Sequence, residues 1–479
     1  MNYIKEDIGT THFLGAGGVG MSALAKLCLK RGKRVSGTDL QAGRRTRELR
    51  ELGAEIETGP EAQARRDANR VIVSSAIPPD HRELQVYQAM NIPILHRSDL
   101  LAEFISDLQS VVVAGTHGKT TTSSLIYHVL SSNGLSPTAL LGGELAKEKT
   151  NCVVGTSDIL IAEADESDGT LEKFQPQYAV LTSIDPDINV TSERYSGCSY
   201  NLDQALEEVT QVFLKFCLGV EKRLLVCCDH PNIKRMLRLI ASPQWLTYGL
   251  DEEAKLRAVD VQQDGHCTQA RIVLEGRPLG VLRVPLPGSH NLRNALAAVG
   301  IALNAGLRFE DIAGAIERFQ GIRRRFEIVG ESNGVIYVDD YAHNPQKIEA
   351  ALAGARSVCR ERVVAVFQPH RYTRSKLLQD QYPFAFDNAD VILVTEIFGA
   401  GEEPITGVDG HSLYRSLVAA YPGKTILFAP GFPELKSQVQ TVCRPGDLVV
   451  GLGAGSVGGW MRRLAQPTFF PLPPGRRVS

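Results

Sequence analysis

Three strand-to-helix turns rich in glycine constrain the fold of this chain more than any other feature. The central turn lies in VVVAGTHGKTTTSS, where an apolar strand ends at Ala114 and Gly115, Gly118 and Lys119 lead into a helix that begins with hydroxyl side chains. Similar turns lie near the two ends of the chain, in FLGAGGVG and in GLGAGSVGG. Such turns are typical of open α/β sheets, which bind phosphate groups where a helix begins. The chain is therefore predicted to contain several α/β units.

The length and the order of the apolar segments predict three domains. A chain of 479 residues is too long for one domain of roughly 100–200 residues. Short apolar runs alternate with amphipathic helical patterns, which favours parallel, doubly wound sheets. We predict a Rossmann-like domain over residues 1–108, a central domain with the phosphate-binding loop over 109–322, and a second Rossmann-like domain over 323–479. Within the central domain, residues from about 250 to 288 are predicted to form antiparallel hairpins.

Charge, hydropathy and cysteine spacing exclude several classes of partner. Lys and Arg number 52 against 54 Asp and Glu, so no electrostatic feature favours nucleic acid or an anionic membrane. No segment approaches the ~18 apolar residues of a membrane span, and Glu6 and Asp7 interrupt the region where a signal peptide would be apolar. The nine cysteines lack C-x-x-C spacing. We expect a cytoplasmic protein with reduced cysteines and neither a nucleic-acid nor a membrane partner.

The central loop predicts a nucleoside triphosphate site. Lys119 can neutralise the β- and γ-phosphates, backbone amides from Thr116 to Thr120 can surround them, and the Thr120 hydroxyl can bind Mg²⁺. The spacing is shorter than the usual G-x-x-x-x-G-K-[ST], because Val113 stands where the first glycine belongs. The predicted loop residues are Gly115, Thr116, His117, Gly118, Lys119, Thr120 and Thr121.

The first glycine turn predicts a diphosphate site. Gly15, Gly17, Gly18 and Gly20 allow the backbone to approach a pyrophosphate, and the helix that follows supplies amide donors. Asp39 ends the next strand. The ligand can be NAD or another diphosphate such as a UDP-sugar, and a turn that serves only packing is the third interpretation. We favour a diphosphate ligand over packing.

Acidic residues follow an apolar strand of the central domain and predict a metal site. DILIAEADESDG places Glu163, Asp165, Glu166 and Asp168 just after the strand. Carboxylate oxygens are preferred ligands of Mg²⁺, whereas acids at a helix N-terminus can also be stabilised by the helix dipole alone. We favour a metal for Glu163, at the very end of the strand, and leave the other three open.

Amides, arginines and histidines at the ends of later elements form a third group of candidates. Asn291 and Asn294 lie three residues apart on one face of a helix start, where they can cap the helix or hold a nucleotide. Arginines in IRRRF and FQPHRYTR either make surface ion pairs or bind carboxylates and phosphates. In VDDYAHNP, two acids and His343 end a strand, where they can orient an amine or assist proton transfer. The concentration of these residues favours function over a structural role.

Taken together, these stretches resemble the muramyl ligases of peptidoglycan synthesis, over nearly the whole chain and in the same order. The resemblance rests on FLGAGGVGMSALA, SGTDL, SSAI, AGTHGKTTT, EADESDG, HNLRNALAA, FQGIRRRFE, VDDYAHNP, FQPHRYTR, EIFGAGEEPITGVDG and GDLVVGLGAGSVG. The first glycine stretch, FQPHRYTR and GAGEEPITG indicate the alanine-adding branch of this family.

The resemblance implies an ATP-dependent ligase that activates the lactyl carboxylate of UDP-N-acetylmuramic acid as an acyl phosphate and joins it to L-alanine. The implied cofactors are ATP and Mg²⁺, and we expect a monomer or a homodimer. The third glycine turn is expected to be structural or to help close the site. A catalytically impaired relative with a regulatory or scaffolding role and an NAD-dependent dehydrogenase with an added ATPase unit are the alternatives.

The resemblance also implies roles for individual residues. UDP binding falls to the first turn together with Asp39, Ser74 and Ser75. ATP binding falls to the central loop together with Asn291, Asn294, Arg325 and Asp340. The implied catalytic residues are Lys119, Glu163 and His343, and the implied metal ligands are Thr120, Glu163 and Asp187. The residues implied to bind the alanine carboxylate are His370, Arg371 and Arg374.

One segment departs from the family pattern. After the strand YAVLTSIDPDI, relatives carry N-[IL]-[DE]-x-D-H, whose histidine helps to hold a second Mg²⁺. Here Ser183 replaces the asparagine and Ile188 replaces the histidine. Because isoleucine cannot bind a metal, either Asp185 or Asp187 substitutes or the ligase is impaired. We expect retained activity with a raised Mg²⁺ requirement.

Overall fold

The computed structural model describes residues 9–60, 65–164, 171–185, 202–239, 242 and 244–466. Its strands form three sheets of five, ten and six strands. The predicted domain boundaries after residues 108 and 322 lie between these sheets. No helix in the described ranges is long and apolar enough to span a bilayer. The eight described cysteines are free thiols, most of them buried.

The first sheet is entirely parallel, with the strand order β3-β2-β1-β4-β5. Its strands are β1 (Thr10–Leu14), β2 (Arg34–Asp39), β3 (Glu55–Thr58), β4 (Ala68–Val73) and β5 (Ile94–His96). Its helices are α1 (Val19–Lys30), α2 (Arg44–Glu51), α3 (Arg82–Ala89) and α4 (Arg97–Asp107). The order reverses at β1, so the first glycine turn lies at the switch point where open sheets bind ligands.

The second sheet has the strand order β15-β14-β13-β12-β11-β10-β6-β9-β7-β8. Its strands are β6 (Gln109–Ala114), β7 (Thr138–Leu140), β8 (Cys152–Val153), β9 (Ile159–Glu163), β10 (Tyr178–Leu181), β11 (Arg223–Cys227), β12 (Trp245–Gly249), β13 (Leu256–Asp264), β14 (Cys267–Leu274) and β15 (Arg277–Val284). Its helices are α5 (Lys119–Ser132), α6 (Leu202–Leu218), α7 (Pro231–Leu239), α8 (Ser289–Asn304) and α9 (Phe309–Glu317). Strands β13 to β15 are antiparallel, as the hairpin prediction required.

The third sheet has the strand order β16-β17-β21-β18-β19-β20, and only the edge strand β16 runs antiparallel. Its strands are β16 (Glu327–Ser332), β17 (Val335–Asp340), β18 (Val363–Phe367), β19 (Val391–Val394), β20 (Thr425–Phe428) and β21 (Leu448–Leu452). Its helices are α10 (Pro345–Val358), α11 (Tyr372–Leu378), α12 (Gly410–Ala420), α13 (Phe432–Val442) and α14 (Val457–Leu464). The predicted three-part α/β architecture is confirmed.

The central strands carry the core because helices cover both faces of each sheet. Val111, Val112 and Val113 of β6 are buried, and so is every residue of β18 and β21. Continuous apolar runs of this kind are typical of parallel strands buried on both faces, and each buried valine contributes about 1.5–3 kcal/mol. Strands β6, β9, β10 and β11 are parallel neighbours. The loops after them therefore meet at one edge of the second sheet.

Candidate functional site

The central loop connects β6 to α5 and has the backbone that its glycines predict. Gly115 and Gly118 have φ values of +127° and +80°, in the left-handed region that favours glycine. A Cβ at Gly115 would lie 2.2 Å from Thr182 Oγ1, and one at Gly118 would lie 2.6 Å from Asn294 Oδ1. Lys119 Nζ donates to Gly115 O at 2.6 Å. Of the amides predicted to surround the phosphates, those of Thr116 and His117 instead donate to Ser183 O and Ser183 Oγ. The N-cap of α5 is Gly118, without a side-chain hydrogen bond, and the amides at this helix start can bind an anion.

The loop forms one wall of a cavity of about 630 Å³ between the second and third sheets. This cavity brings together most of the residues predicted to bind ATP or to act in the chemistry. These are Thr116, His117, Gly118, Lys119, Thr120, Thr121, Glu163, Asn291, Asn294, Arg325, Asp340, His343 and Arg374. Residues separated by more than 200 positions in the chain thus share one cavity.

Glu163 and Thr120 lie side by side at the edge of the second sheet. Thr120 Oγ1 donates to the Glu163 carboxylate, at 2.9 Å from Oε1, and Gly142 N donates to Oε2 at 2.7 Å. A hydroxyl and a carboxylate beside the phosphate-binding loop are ligands that suit Mg²⁺. No group of three His, Cys, Asp or Glu side chains within the described ranges could hold a metal ion. Asp165, Glu166 and Asp168 lie outside the described residues.

An acid with two imidazoles lies on the opposite side of the loop. Asp185 Oδ2 is 3.2 Å from Nε2 of His117 and 3.2 Å from Nε2 of His230. Burial acts to raise the pKa of Asp185, but hydrogen bonds and charge from the two imidazoles outweigh it and hold the pKa below its usual range. The sequence alone did not single out His230, which follows Asp229 in RLLVCCDHP, just after β11. Asp187 and Ile188 lie outside the described residues.

The two asparagines of α8 are buried beside the loop. Asn294 Oδ1 accepts a hydrogen bond from Thr122 Oγ1 at 3.2 Å, and Asn291 Nδ2 donates to Pro287 O at 2.8 Å. Neither side chain caps α8, whose N-cap is Gly288 without a side-chain hydrogen bond. Of the two interpretations left open, the geometry therefore favours contact with a ligand in the cavity over capping.

Asp340 and His343 approach the cavity from the end of β17. Both Asp340 carboxylate oxygens accept backbone amides at 2.8 Å, from Phe326 and Ala342, so this carboxylate also fixes the local loop. Burial raises the pKa of Asp340. His343 Nδ1 donates to Tyr341 O at 2.8 Å. Burial, followed by the charges of nearby cationic side chains, lowers the pKa of His343 well below its usual value. The lowered pKa disfavours the protonated imidazole, and because Nδ1 donates to Tyr341 O, the acceptor nitrogen of the neutral ring is Nε2.

The three residues predicted to bind the alanine carboxylate do not all face the cavity. Arg374 lines it, and its Nη1 donates to His370 Nδ1 at 3.1 Å. The His370 ring stacks on Phe398 with the ring centroids 5.7 Å apart. Arg371 is directed elsewhere, because its Nε lies 3.5 Å from Glu402 Oε1 and it is not among the cavity residues. The geometry therefore favours Arg374 over Arg371 as a carboxylate ligand.

In the first domain, Asp39 organises the predicted diphosphate turn. Asp39 Oδ2 accepts a hydrogen bond from Gly17 N at 2.8 Å, and Oδ1 accepts one from Gln41 N at 3.0 Å. The turn begins at Gly15, with φ +78°, and Gly18 is the N-cap of α1, without a side-chain hydrogen bond. A ligand can therefore approach the amides at the start of α1.

The other predicted residues of the first domain lie beside this turn. Ser74 and Ser75 follow β4, and Ser75 Oγ lies 3.1 Å from His96 Nε2. Gly20 lies within α1, and a Cβ at this position would come 2.9 Å from Arg97 Nη1. The switch point of the first sheet therefore collects glycines, hydroxyls and basic side chains, which suits an anionic ligand.

Comparison with protein families matches the three parts of the chain separately. The family described as "Mur ligase family, catalytic domain" matches residues 10–108, "Mur ligase middle domain" matches 113–302, and "Mur ligase, glutamate ligase domain" matches 324–455.

Individual relatives match over almost the whole chain. A UDP-N-acetylmuramate–L-alanine ligase from Pelotomaculum thermopropionicum is 39% identical over 93% of this chain and 95% of its own length. One of the same name from Thermosynechococcus vestitus is 41% identical, with 93% of each chain covered. Among solved structures, a UDP-N-acetylmuramate-alanine ligase from Thermotoga maritima superposes with a TM-score of 0.75 at 26% identity, covering 95% of this chain and 98% of the other.

Proposed function

The chain belongs to the Mur ligase family, and we propose that it joins L-alanine to UDP-N-acetylmuramic acid in an ATP-dependent reaction of peptidoglycan synthesis. The observation that carries this proposal is the cavity in which the phosphate-binding loop of one domain faces His343 and Arg374 of the next. A ligase of this type needs a nucleotide and an amine acceptor side by side. The names and extent of the relatives support the same activity.

Within this proposal, the central loop binds the triphosphate of ATP. The amides at the start of α5 and the Lys119 ammonium act on the phosphate oxygens. The Thr120 hydroxyl and the Glu163 carboxylate would hold Mg²⁺, which supplies positive charge against the β- and γ-phosphates when it is bound. Asn291, Asn294 and Arg325 line the same cavity and would orient the nucleotide.

The proposed chemistry has two steps. An oxygen of the lactyl carboxylate attacks the γ-phosphorus, the bond from that phosphorus to the bridging oxygen breaks, and ADP leaves with an acyl phosphate formed. The alanine nitrogen then attacks the acyl carbon, the amide bond forms and inorganic phosphate leaves. The neutral His343 imidazole can accept the proton that the amine loses, because its Nδ1 is held by Tyr341 O and its Nε2 carries the lone pair. Closing the third domain over this cavity would limit hydrolysis of the acyl phosphate by water.

The first domain is proposed to hold the UDP moiety. The amides at the start of α1 are donors suited to a diphosphate, and Asp39, Ser74 and Ser75 lie beside them at the same edge of the sheet. Because the substrates are a nucleotide-linked sugar and a free amino acid, we also propose a cytoplasmic location. A monomer or a homodimer stays a prediction.

An omission assay tests the proposed function. Phosphate release is measured with ATP, Mg²⁺, UDP-N-acetylmuramic acid and L-alanine, and then with each component left out in turn. We expect sustained release only in the complete mixture, with the alanyl product detected by mass spectrometry. A scaffolding relative would bind ATP without alanine-dependent release, and a dehydrogenase would bind NAD at micromolar concentrations. Either result would contradict the proposal.

A further inference from the structure

The third glycine turn, which connects β21 to α14, has the glycine pattern of a nucleotide loop, but it presents carbonyl oxygens rather than amides to the neighbouring charged group. Its carbonyls face a cation: Arg324 Nη2 donates to Gly453 O at 2.8 Å and to Gly455 O at 3.3 Å, and Nη1 donates to Ala454 O at 3.2 Å. Phosphate binding needs N–H donors instead. The turn therefore presents acceptors to a guanidinium and is not built for an anion.

The space beside this turn is also filled by protein. A Cβ at Gly455 would come 2.5 Å from Phe398 Cγ and 2.6 Å from Gln368 Oε1. Gln368 Oε1 accepts a hydrogen bond from Val457 N at 3.0 Å, so the amide at the start of α14 is already used. The glycines here allow close packing of the protein against itself rather than the approach of a ligand.

The three consecutive arginines before β16 make different polar contacts, although Arg324 and Arg325 both lie near the Tyr341 ring, at 5.0 and 5.4 Å from its centroid. Arg323 pairs with Glu144 of the second sheet's domain at 2.9 Å, and Arg325 lines the cavity. Arg324 lies between them with φ +61°, in the left-handed region that side chains rarely adopt. With this backbone, the Arg324 guanidinium reaches the carbonyls of the third glycine turn.

Arg324 also contacts the segment that carries the predicted proton acceptor. Its guanidinium carbon lies 5.0 Å from the centroid of the Tyr341 ring, and Tyr341 N donates to Arg324 O at 2.8 Å. The Tyr341 ring meets the His343 ring edge-on at 5.2 Å, and Tyr341 O accepts the hydrogen bond of His343 Nδ1. A continuous series of contacts thus joins the third glycine turn, through Arg324, to the amino-acid end of the cavity.

We propose that Arg324 is a positioning residue for the amino-acid end of the cavity, with the third glycine turn as its fixed support. The Arg324 guanidinium binds three carbonyls of the turn. It also contacts the Tyr341–His343 segment, because it lies near the Tyr341 ring and Arg324 O accepts a hydrogen bond from Tyr341 N. It thereby fixes where an incoming α-amino acid meets Tyr341 and His343. The inference rests on the proposed function and adds to it a residue that acts through Tyr341 without facing the nucleotide loop.

Arg462 provides a matched control. Its Nη1 lies 3.0 Å from Asp339 Oδ2, a buried oxygen from which Arg324 Nε is 3.7 Å away, and its Nη2 pairs with Glu327 at 2.7 Å. In the described structure, Arg462 contacts neither the carbonyls of residues 453–455 nor the Tyr341 ring. It shares the charge environment of Arg324 and lacks the contacts that the proposal uses.

The test compares Arg324→Lys with Arg462→Lys. Lysine keeps the charge but cannot reproduce the planar fork that binds several carbonyls. We expect Arg324→Lys to raise the KM for alanine roughly tenfold, which corresponds to one lost charge-assisted contact, with the KM for ATP within about twofold of wild type. We expect Arg462→Lys to change neither KM by more than about twofold. Equal changes in both KM values for Arg324→Lys, or the same alanine effect in Arg462→Lys, would overturn the proposal.

A second variant covers the case in which Arg324→Lys fails to fold. Gly455→Ala disturbs the turn that Arg324 contacts, because its Cβ would lie 2.5 Å from Phe398 Cγ and 2.6 Å from Gln368 Oε1, and we expect the same selective rise in the KM for alanine. An unchanged KM for alanine in folded Gly455→Ala would overturn the inference. If wild-type protein itself showed no alanine-dependent phosphate release, the proposed function would fail instead, so the two failures are distinguishable.

Discussion

Comparing Gly118→Ala with Gly134→Ala separates two effects of alanine in the phosphate-binding loop: strain in the left-handed backbone and weaker contact between the loop and the nucleotide. Gly118 and Gly134 flank the same helix, α5, and have nearly identical φ values of +80° and +81°. Alanine in this region costs about 1–2 kcal/mol at either position. Only at Gly118 does the new Cβ meet an atom, Asn294 Oδ1 at 2.6 Å, whereas nothing lies within 4 Å at Gly134. Gly134→Ala is therefore a control for strain alone.

The added cost at Gly118 comes from moving Asn294. That side chain accepts from Thr122 Oγ1 at 3.2 Å, and the lost hydrogen bond is worth about 0.5–1.5 kcal/mol. Because Asn294 lines the cavity, we expect Gly118→Ala to weaken the binding of a non-hydrolysable ATP analogue with Mg²⁺ roughly three- to tenfold, as measured by titration calorimetry. Gly134→Ala should lower the melting temperature without changing this affinity. Equal affinities in the two variants would refute the placement of Asn294 at the nucleotide.

Four further outcomes are expected. Lys119→Ala should abolish ligation while the circular dichroism spectrum stays native; an unchanged rate would remove Lys119 from the phosphate site. Arg374→Ala should raise the KM for alanine about tenfold or more, the loss of one charged hydrogen bond, whereas Arg371→Ala should have a smaller effect because Arg371 pairs with Glu402; the reverse order would reassign the carboxylate ligand. Ile188→His should lower the Mg²⁺ concentration needed for half-maximal rate, and an unchanged requirement would contradict a weakened metal site. Burial, followed by the charges of Arg374 and Arg371, lowers the pKa of His370 to about 4. As the pH is lowered from 6.5 to 4, the unfolded chain therefore takes up a proton that the folded chain does not, and the free energy of unfolding decreases. His370→Asn should show a shallower decline in melting temperature over this pH range, and an unchanged slope would contradict this.

The meeting of Thr120 and Glu163 at one edge of the second sheet could be predicted from the sequence, because parallel strands bring their carboxyl ends to the same edge. Thr120 and Glu163 are 43 residues apart in the chain, yet their side chains are hydrogen-bonded. Each follows or ends a buried apolar strand, and neighbouring parallel strands carry their carboxyl ends to the same edge. The strand, the glycine turn and the hydroxyl-rich helix start are all local patterns. Their combination was enough to predict both the loop and the acid that faces it.

The resemblance implied that the third glycine turn is structural or helps to close the site, but its contacts could not be predicted from the local pattern. Its letters match those of the first turn, but a glycine pattern does not tell whether amides or carbonyls face outward. That depends on Arg324, about 130 residues earlier in the chain, and on the left-handed backbone at that arginine. The contact between His230 and Asp185 was missed for a related reason. The loop after β11 carries no glycine motif, so only the strand order brings it to the site.

Ser183, which replaces the asparagine of the family pattern, still contacts the phosphate-binding loop. Ser183 Oγ accepts a hydrogen bond from His117 N at 2.8 Å, and Ser183 O accepts one from Thr116 N at 3.2 Å. Asp185 N donates to Thr116 Oγ1 at 2.9 Å. Three polar groups of the segment after β10, Ser183 Oγ, Ser183 O and Asp185 N, therefore hold the phosphate-binding loop in place. Since these contacts come from Ser183 and Asp185, we expect nucleotide binding to be retained in this chain, and the raised Mg²⁺ requirement stays a prediction that Ile188→His tests.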